Sequence, residues 1–481
     1  MSDITPYTLI QAVRAGDLAA VRQLATEGVD IHGLHGGSTP LIVAAARGHE
    51  PIVSLLIALR ADVNARDETS GSTALFRAVY NGHESIAELL LDAGADVHAT
   101  NDHGHTALDW ASFGGRPACV ELLLNRGASP NRKDRTYECT SLFWACYEGH
   151  RETAQTLLDH GADIHTQDLS GNTPLFWACR SGKVDVVTLL IARGADVHAR
   201  NRNHATPLLW AAGRGHARVV NVLLAKGAKA DAADRQSRTP LITASCGGHA
   251  DTVRLLLRAG ADMDLRTRNG ATARDCAFAR GHAAVLRVLM EHGSAPMPAG
   301  TDPTEAFIDA ARNSKVELLE LLLENGAGVD DRDGKYGNTA LFWACHRGNA
   351  DAVKLLLSRG ADVDVRNRFG STPLFWAANE GRTAAADLLL SAGANPDAQD
   401  NEGKTPLIVA AAAGHTDMAN LLLAWGARVN LATRYGWTAM MEAYLQGNHA
   451  MLDALTRAGG SLYGEGGMSY GDGEQEIASK S

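Results

Sequence analysis

The segment Thr173-Pro174-Leu175-Phe176-Trp177-Ala178-Cys179 returns in near-copies every 33 or 34 residues, and this period constrains the fold more than any other feature of the chain. Copies open at Thr39, Thr73, Thr106, Thr140, Thr173, Thr206, Thr239, Thr272, Thr339, Thr372, Thr405 and Thr438. Weaker versions open at Tyr7 and Glu305, so fourteen repeats, numbered here in chain order, account for nearly all of the 481 residues. Length alone would suggest about three globular domains. A fixed short period instead means one small unit stacked on the next, each burying its neighbour's apolar face.

Within a repeat the residue types describe two short helices. Thr is a good N-cap, and Pro fits the first helical position, where its missing N–H costs nothing. The first helix is expected to stop at a glycine such as Gly182 or Gly215, which adopts the left-handed conformation cheaply. Leu two residues after the Thr, and the Ala or Cys slots three and four beyond it, share one buried face. A second helix carries Val186-Val187-Thr188-Leu189-Leu190 and ends at Gly194-Ala195-Asp196-Val197. Turn residues such as Asn269-Gly270 then lead through a short finger to the next Thr. Helices this short are marginal alone, so stacking is obligatory.

This order, with Gly215-His216, the run Leu355 to Leu357 and Gly194 to Val197, closely resembles the ankyrin repeat over residues 5 to 462. The resemblance implies an all-α solenoid of helix-turn-helix units with short β-hairpin-like fingers. It further implies that first helices and fingers form a concave groove that holds partner proteins, without chemistry of its own. End repeats need polar outer faces. The first repeat, with Thr8-Leu9-Ile10-Gln11-Ala12-Val13-Arg14 in place of the Thr-Pro-Leu start, reads as such a cap.

The register is irregular once. After the ninth repeat the finger is replaced by Ser294-Ala295-Pro296-Met297-Pro298-Ala299-Gly300-Thr301-Asp302-Pro303, whose prolines cannot build a regular hairpin, and Glu305 to Asn313 resembles an opening repeat again. The expected organisation is repeats one to nine over 1–293, a seam at 294–303, repeats ten to fourteen over 304–462, and a Gly-rich acidic tail over 463–481 that is expected to be disordered.

A formal charge of −10 argues against a general nucleic-acid binder, which presents a basic face to phosphates. The start of the chain lacks a signal-peptide pattern, and no apolar run of about 18 residues occurs, so no membrane contact is expected and the protein is read as soluble and cytoplasmic. Seven cysteines with no repeated C-x-x-C spacing suggest neither disulfides nor zinc; Cys146, Cys179 and Cys345 occupy an Ala slot and read as buried thiols. Gly403-Lys404-Thr405 is not a phosphate loop, because position 398 is Ala where that motif needs Gly. Gly464 to Gly467 lacks the strand and helix of a dinucleotide fingerprint. Histidines recur with the repeat (His49, His83, His150, His216) rather than clustering with ligand spacing. No metal, cofactor, catalytic residue or small-molecule substrate is therefore expected. Some ankyrin repeats are hydroxylated at a finger Asn, and Asn64, in Asp62-Val63-Asn64 with Leu56 upstream, matches that pattern.

The positions that vary say more about function. The slot four residues after the Thr points away from the Leu and Ala face and holds Trp110, Trp144, Trp177 and Trp210 in consecutive repeats, then Trp343 and Trp376. Just before it stand Phe143, Phe176, Phe342 and Phe375, where the ankyrin family usually has His, which puts the hydrogen bonding at that helix start in doubt. Four indoles in one slot are expected to form an aromatic strip, and exposed apolar surface rich in Trp marks interaction sites. Packing between neighbours is the competing reading. Finger residues Arg200, Arg202, Arg235, Arg238, Arg266 and Arg268 follow the strip, which suggests an extended protein or peptide partner with aromatic or apolar anchors and acidic flanks. The alternatives are an enzyme with a site at the seam around Asp302, Glu305 and Asp309, and a structural spacer without a specific partner.

Overall fold

Each Thr that opens a repeat takes the extended backbone of an N-cap, and a helix of seven or eight residues starts at the next residue, as in Pro174–Arg180 and Ala340–Arg347. In the computed structural model, which describes residues 6–34 and 36–462, this happens down the whole chain: 28 helices form fourteen pairs. Strand is almost absent among the described residues, where only the isolated bridges Thr100 to Thr106 and Ala432 to Thr438 occur. The segment 463–481, expected to be disordered, lies outside the described residues.

The caps divide into two kinds. Thr206, Thr239 and Thr405 accept the backbone N–H three residues on at 3.2 Å. Thr106 makes a full capping box with Asp109. Thr140, Thr173 and Thr339, each followed by a buried Phe at the third position, keep the cap backbone but make no such side-chain bond. There the amides of Phe143 and Phe176 turn to the carbonyls of Thr140 and Thr173 at 2.9 Å. Leu209, Ile242 and Ile408 are apolar at the same position and keep the bond, as does the half-buried Phe375 at 3.3 Å, so its loss goes with a fully buried Phe.

Within each unit the core is thin and runs from repeat to repeat. Leu175, Phe176, Ala178 and Cys179 of one first helix are fully buried, as are Val186, Val187 and Leu190 of the second helix behind it. Within a unit, first helices pack on first helices of adjacent repeats and second on second. Cys146, Cys179 and Cys345 are fully buried free thiols, and burial raises all three well above the usual thiol range.

Fingers are joined to one another. Asp168 is buried and accepts the amides of Ser170 and Asn172 at 2.8 Å, closing the turn, while Leu169 N–H reaches the Tyr137 carbonyl of the finger before it and Arg202 N–H reaches Ser170 O in turn, both at 3.0 Å. The same closure recurs at Asp67, Asn101, Asn201 and Asn367. At the other end of the helix pair, His150, His216 and His249 each approach a carbonyl at the end of the preceding repeat's first helix, at 3.1, 2.8 and 3.2 Å. The periodic histidines are thus ties between repeats.

The chain forms two compact units, Met1–Cys276 and Ala277–Ser481, with the boundary inside the helix Ala273–Arg280. The irregular segment 294–303 lies within the second unit, where among the described residues it lacks the finger closure and Asp302 instead caps the helix Pro303–Arg312.

Candidate partner-binding groove

The residues four and seven places after each opening Thr lie one turn apart on the same face of the first helix. Stacking sets the seventh residue of one repeat against the Trp of the next. Tyr80 meets Trp110 with ring centroids 5.2 Å apart, Phe113 meets Trp144 at 6.1 Å, and Tyr147 meets Trp177 at 5.4 Å, all edge to face. The Arg180 guanidinium lies 5.5 Å from the Trp210 ring. In the second unit Arg312 stands 4.4 Å over Trp343, and His346 meets Trp376 at 5.4 Å. These geometries suit the ring quadrupole, whose electron-rich face attracts edges and cations.

All six tryptophans are consequently half-buried rather than fully outward-facing. Among the described residues Trp144 and Trp177 are the two tryptophans whose rings meet, at 6.0 Å, and elsewhere the row is completed by the residue from the preceding repeat. Trp177 also donates its indole N–H to Asp168 at 3.0 Å, which ties helix to finger. The buried indole nitrogens of Trp110, Trp144, Trp343 and Trp376 find no acceptor among the described residues. In the third repeat the slot holds Arg77, which pairs with Asp67 at 2.7 Å. Burial would raise the Asp67 carboxyl, but bonds from Arg77 and Ser70 prevail and hold it at about 2. Residue types alone did not point to this contact between slot and finger, although an Asp or Asn five or six residues before the Thr recurs visibly in the chain.

Hollows open along the row in the first unit, two of them beside its tryptophans and Arg180. One, about 200 Å³, is walled by His105, Asp109, Trp110, Phe113 and Trp144. Asp109 is fully buried there, and burial raises its carboxyl despite bonds from Ser141 and Thr106. The second, about 570 Å³, is bordered by Tyr147, Glu148, Arg180, Lys183, Arg214 and His216.

The finger arginines divide in two. Arg238 pairs with Asp234 at 2.7 Å, Arg200 reaches the Ala233 carbonyl at 3.4 Å, and Arg266 bonds its own finger at Gly270 O, 2.9 Å away. Arg202, Arg235 and Arg268 are exposed, and their side chains have no partner among the described residues. Asn64 is exposed, and its amide bridges Gly94 O at 3.1 Å and Asp96 N at 2.8 Å; Asn131 and Asn430 do the same in their repeats. At the seam, Asp302 is a helix cap and Glu305 and Asp309 both pair with Arg312. No group of three or more His, Cys, Asp or Glu that could hold a metal occurs among the described residues. No helix among them is long and apolar enough to cross a membrane.

A stack of short helix pairs joined by closed fingers, with a half-buried row along its first helices, defines a helical repeat protein. A model of three ankyrin repeats matches residues 9–101, 142–234, 185–267, 208–299, 307–400 and 374–462, and a single-repeat model matches 103–135. The chain belongs to the ankyrin repeat family. It is 45% identical over 51 residues to osteoclast-stimulating factor 1 of Monopterus albus, a match covering 11% of this chain and 23% of that protein. It is 44% identical over 57 residues to the mouse (Mus musculus) ankyrin repeat and SAM domain-containing protein 6, covering 12% and 6%. It is 41% identical over 68 residues to a putative ankyrin repeat protein of fowlpox virus, covering 14% and 13%. Each match spans under a quarter of the relative's length. Ankyrin repeats are generally protein-protein interaction modules and generally not enzymes.

Proposed function

We propose that this chain is a non-enzymatic scaffold that binds a protein or peptide partner along the first-helix row, with the exposed finger arginines at its margin. The observation that carries this reading is the row itself: six tryptophans in one slot, each packed on one edge by the preceding repeat yet still half-exposed. Trp and Arg are enriched among residues that dominate binding energy, and a face that pre-orders them lowers the entropy cost of association. The carboxylates of the seam are occupied as a cap and in ion pairs, which speaks against an enzyme there. A spacer without a partner would have no use for aromatic surface.

The test replaces Trp177 and Trp210 with Ala and measures melting temperature together with affinity capture. Lost capture per folded molecule supports recognition, because that normalisation removes the fall in melting temperature expected when Trp177 gives up its bond to Asp168. Unchanged capture per folded molecule, with a large drop in melting, means the tryptophans serve packing alone.

A further inference from the structure

We infer that the groove of repeats four to seven takes an extended acidic peptide segment, with one apolar side chain in the hollow beside Trp110, Phe113 and Trp144 and its carboxylates in the cleft of Arg180, Lys183 and Arg214. This rests on the scaffold reading and gives its partner a chemistry.

The cleft is a concentration of positive charge on a chain of net charge −10, with Arg180 also lying against the Trp210 ring. Among the described residues Arg180, Lys183 and Arg214 have no acidic partner, although Glu148 lines the same cleft. Helix dipoles account for two of the cations, since Arg180 ends the helix Pro174–Arg180 and Arg214 caps Pro207–Gly213. They do not account for Lys183, which stands at the positive end of Val184–Ala192, where a cation is disfavoured. Several residues in its slot elsewhere are tied back: Arg116 to Tyr80 O at 3.1 Å, His150 to Phe113 O at 3.1 Å and Lys315 to Ala279 O at 2.7 Å. Lys183 makes no such bond, so its ammonium is available to a bound anion. The cost of crowding three cations is recovered when carboxylates enter.

The hollow supplies the other half. Its walls are mostly aromatic, and about 200 Å³ lies below the 300 to 1,000 Å³ or so typical of small-molecule sites, which suits a single side chain. Hollow and cleft share one floor, because Trp144 touches Trp177 at 6.0 Å and Trp177 touches Tyr147 at 5.4 Å. Helices stacked at roughly 8 to 10 Å put the two about 20 Å apart, which an extended chain covers in about six residues.

The experiment selects ligands for the full-length protein from a phage-displayed library of random dodecapeptides. The expected consensus holds two or more Asp or Glu spaced about six residues from one apolar residue. Synthetic peptides of that consensus should lose at least tenfold in affinity when the apolar residue becomes Gly or the acids become Gln. The variant Arg180→Glu/Arg214→Glu, with affinity expressed per folded molecule, should lose the acidic peptides at least tenfold and bind their Lys counterparts instead. Neutral or basic consensus peptides whose binding is abolished by Trp177→Ala/Trp210→Ala would overturn the acidic assignment and leave the scaffold reading standing. Absence of any groove-dependent ligand would overturn both.

Discussion

The indoles of Trp144 and Trp177 occupy the same slot of consecutive repeats but differ in one bond. Trp177 donates to the buried carboxylate of Asp168, whereas the Trp144 nitrogen has no acceptor among the described residues. Hydrogen bonds to charged groups contribute about 1.5 to 3 kcal/mol, and an unmet buried donor is itself a cost. Trp177→Phe should therefore destabilise by about 2 kcal/mol, and Trp144→Phe by clearly less, in urea unfolding at neutral pH. Equal losses would mean that the Asp168 bond anchors nothing. Asp67 provides a pH test. With its carboxyl at about 2, below the unfolded value of 3.8, its stabilisation is present above pH 3.8 and is lost as pH falls through about 2. Arg77 is 30% exposed, so solvent screening reduces the contribution to about 1 kcal/mol. Arg77→Met should lower stability by about that amount at pH 7, and the gap to wild type should close towards pH 2.

At the scale of the helix pair, two glycines distinguish backbone conformation from crowding. Gly215, at φ +73°, follows the first helix of its repeat, and a Cβ there would sit 2.4 Å from Nδ1 of His249, a ring held near the Gly213 carbonyl. Gly227, at φ +84°, ends the second helix with nothing within 4 Å of the same position. Left-handed backbone costs a non-glycine residue about 1 to 2 kcal/mol. Gly227→Ala should cost about that much, and Gly215→Ala about 1 kcal/mol more because the tie between repeats is displaced. Thermal melting of the two variants checks the order. The glycine stops and the Thr caps are legible in the sequence because each depends on residues within one turn. That Thr140 and Thr173 cap with backbone alone is not, since it follows from seating Phe143 and Phe176 in the core.

At the scale of the whole chain, we propose that 294–303 interrupts the array. Among its described backbone amides, Thr301 bonds Pro298 O at 3.3 Å and Ser294 bonds the helix end at Leu289 O, whereas an ordinary finger such as 168–172 is closed on itself and bonded to the fingers on both sides. Cleavage requires local opening, which a bonded finger resists. Limited proteolysis of the folded protein should cut within 294–303 before any finger of the first unit. First cuts inside 196–203 would sink the proposal.

By itself the sequence determined the fourteen helix pairs, the Leu, Ala and Cys face they bury, and the family to which they belong. All of these follow from a period repeated so often that local signals reinforce one another. It also showed six tryptophans in one slot, because counting positions requires no knowledge of space. Tertiary structure alone decided what those tryptophans touch. The offset between stacked helices sets Tyr80, Phe113, Tyr147 and Arg180 against rings about thirty residues further along the chain, half-burying what helical phase alone would leave outside. The same offset leaves Lys183 untied while Arg116 and His150 reach back to carbonyls in the preceding repeat. Which charges remain free depends on distances between repeats, and a linear period carries no such distances.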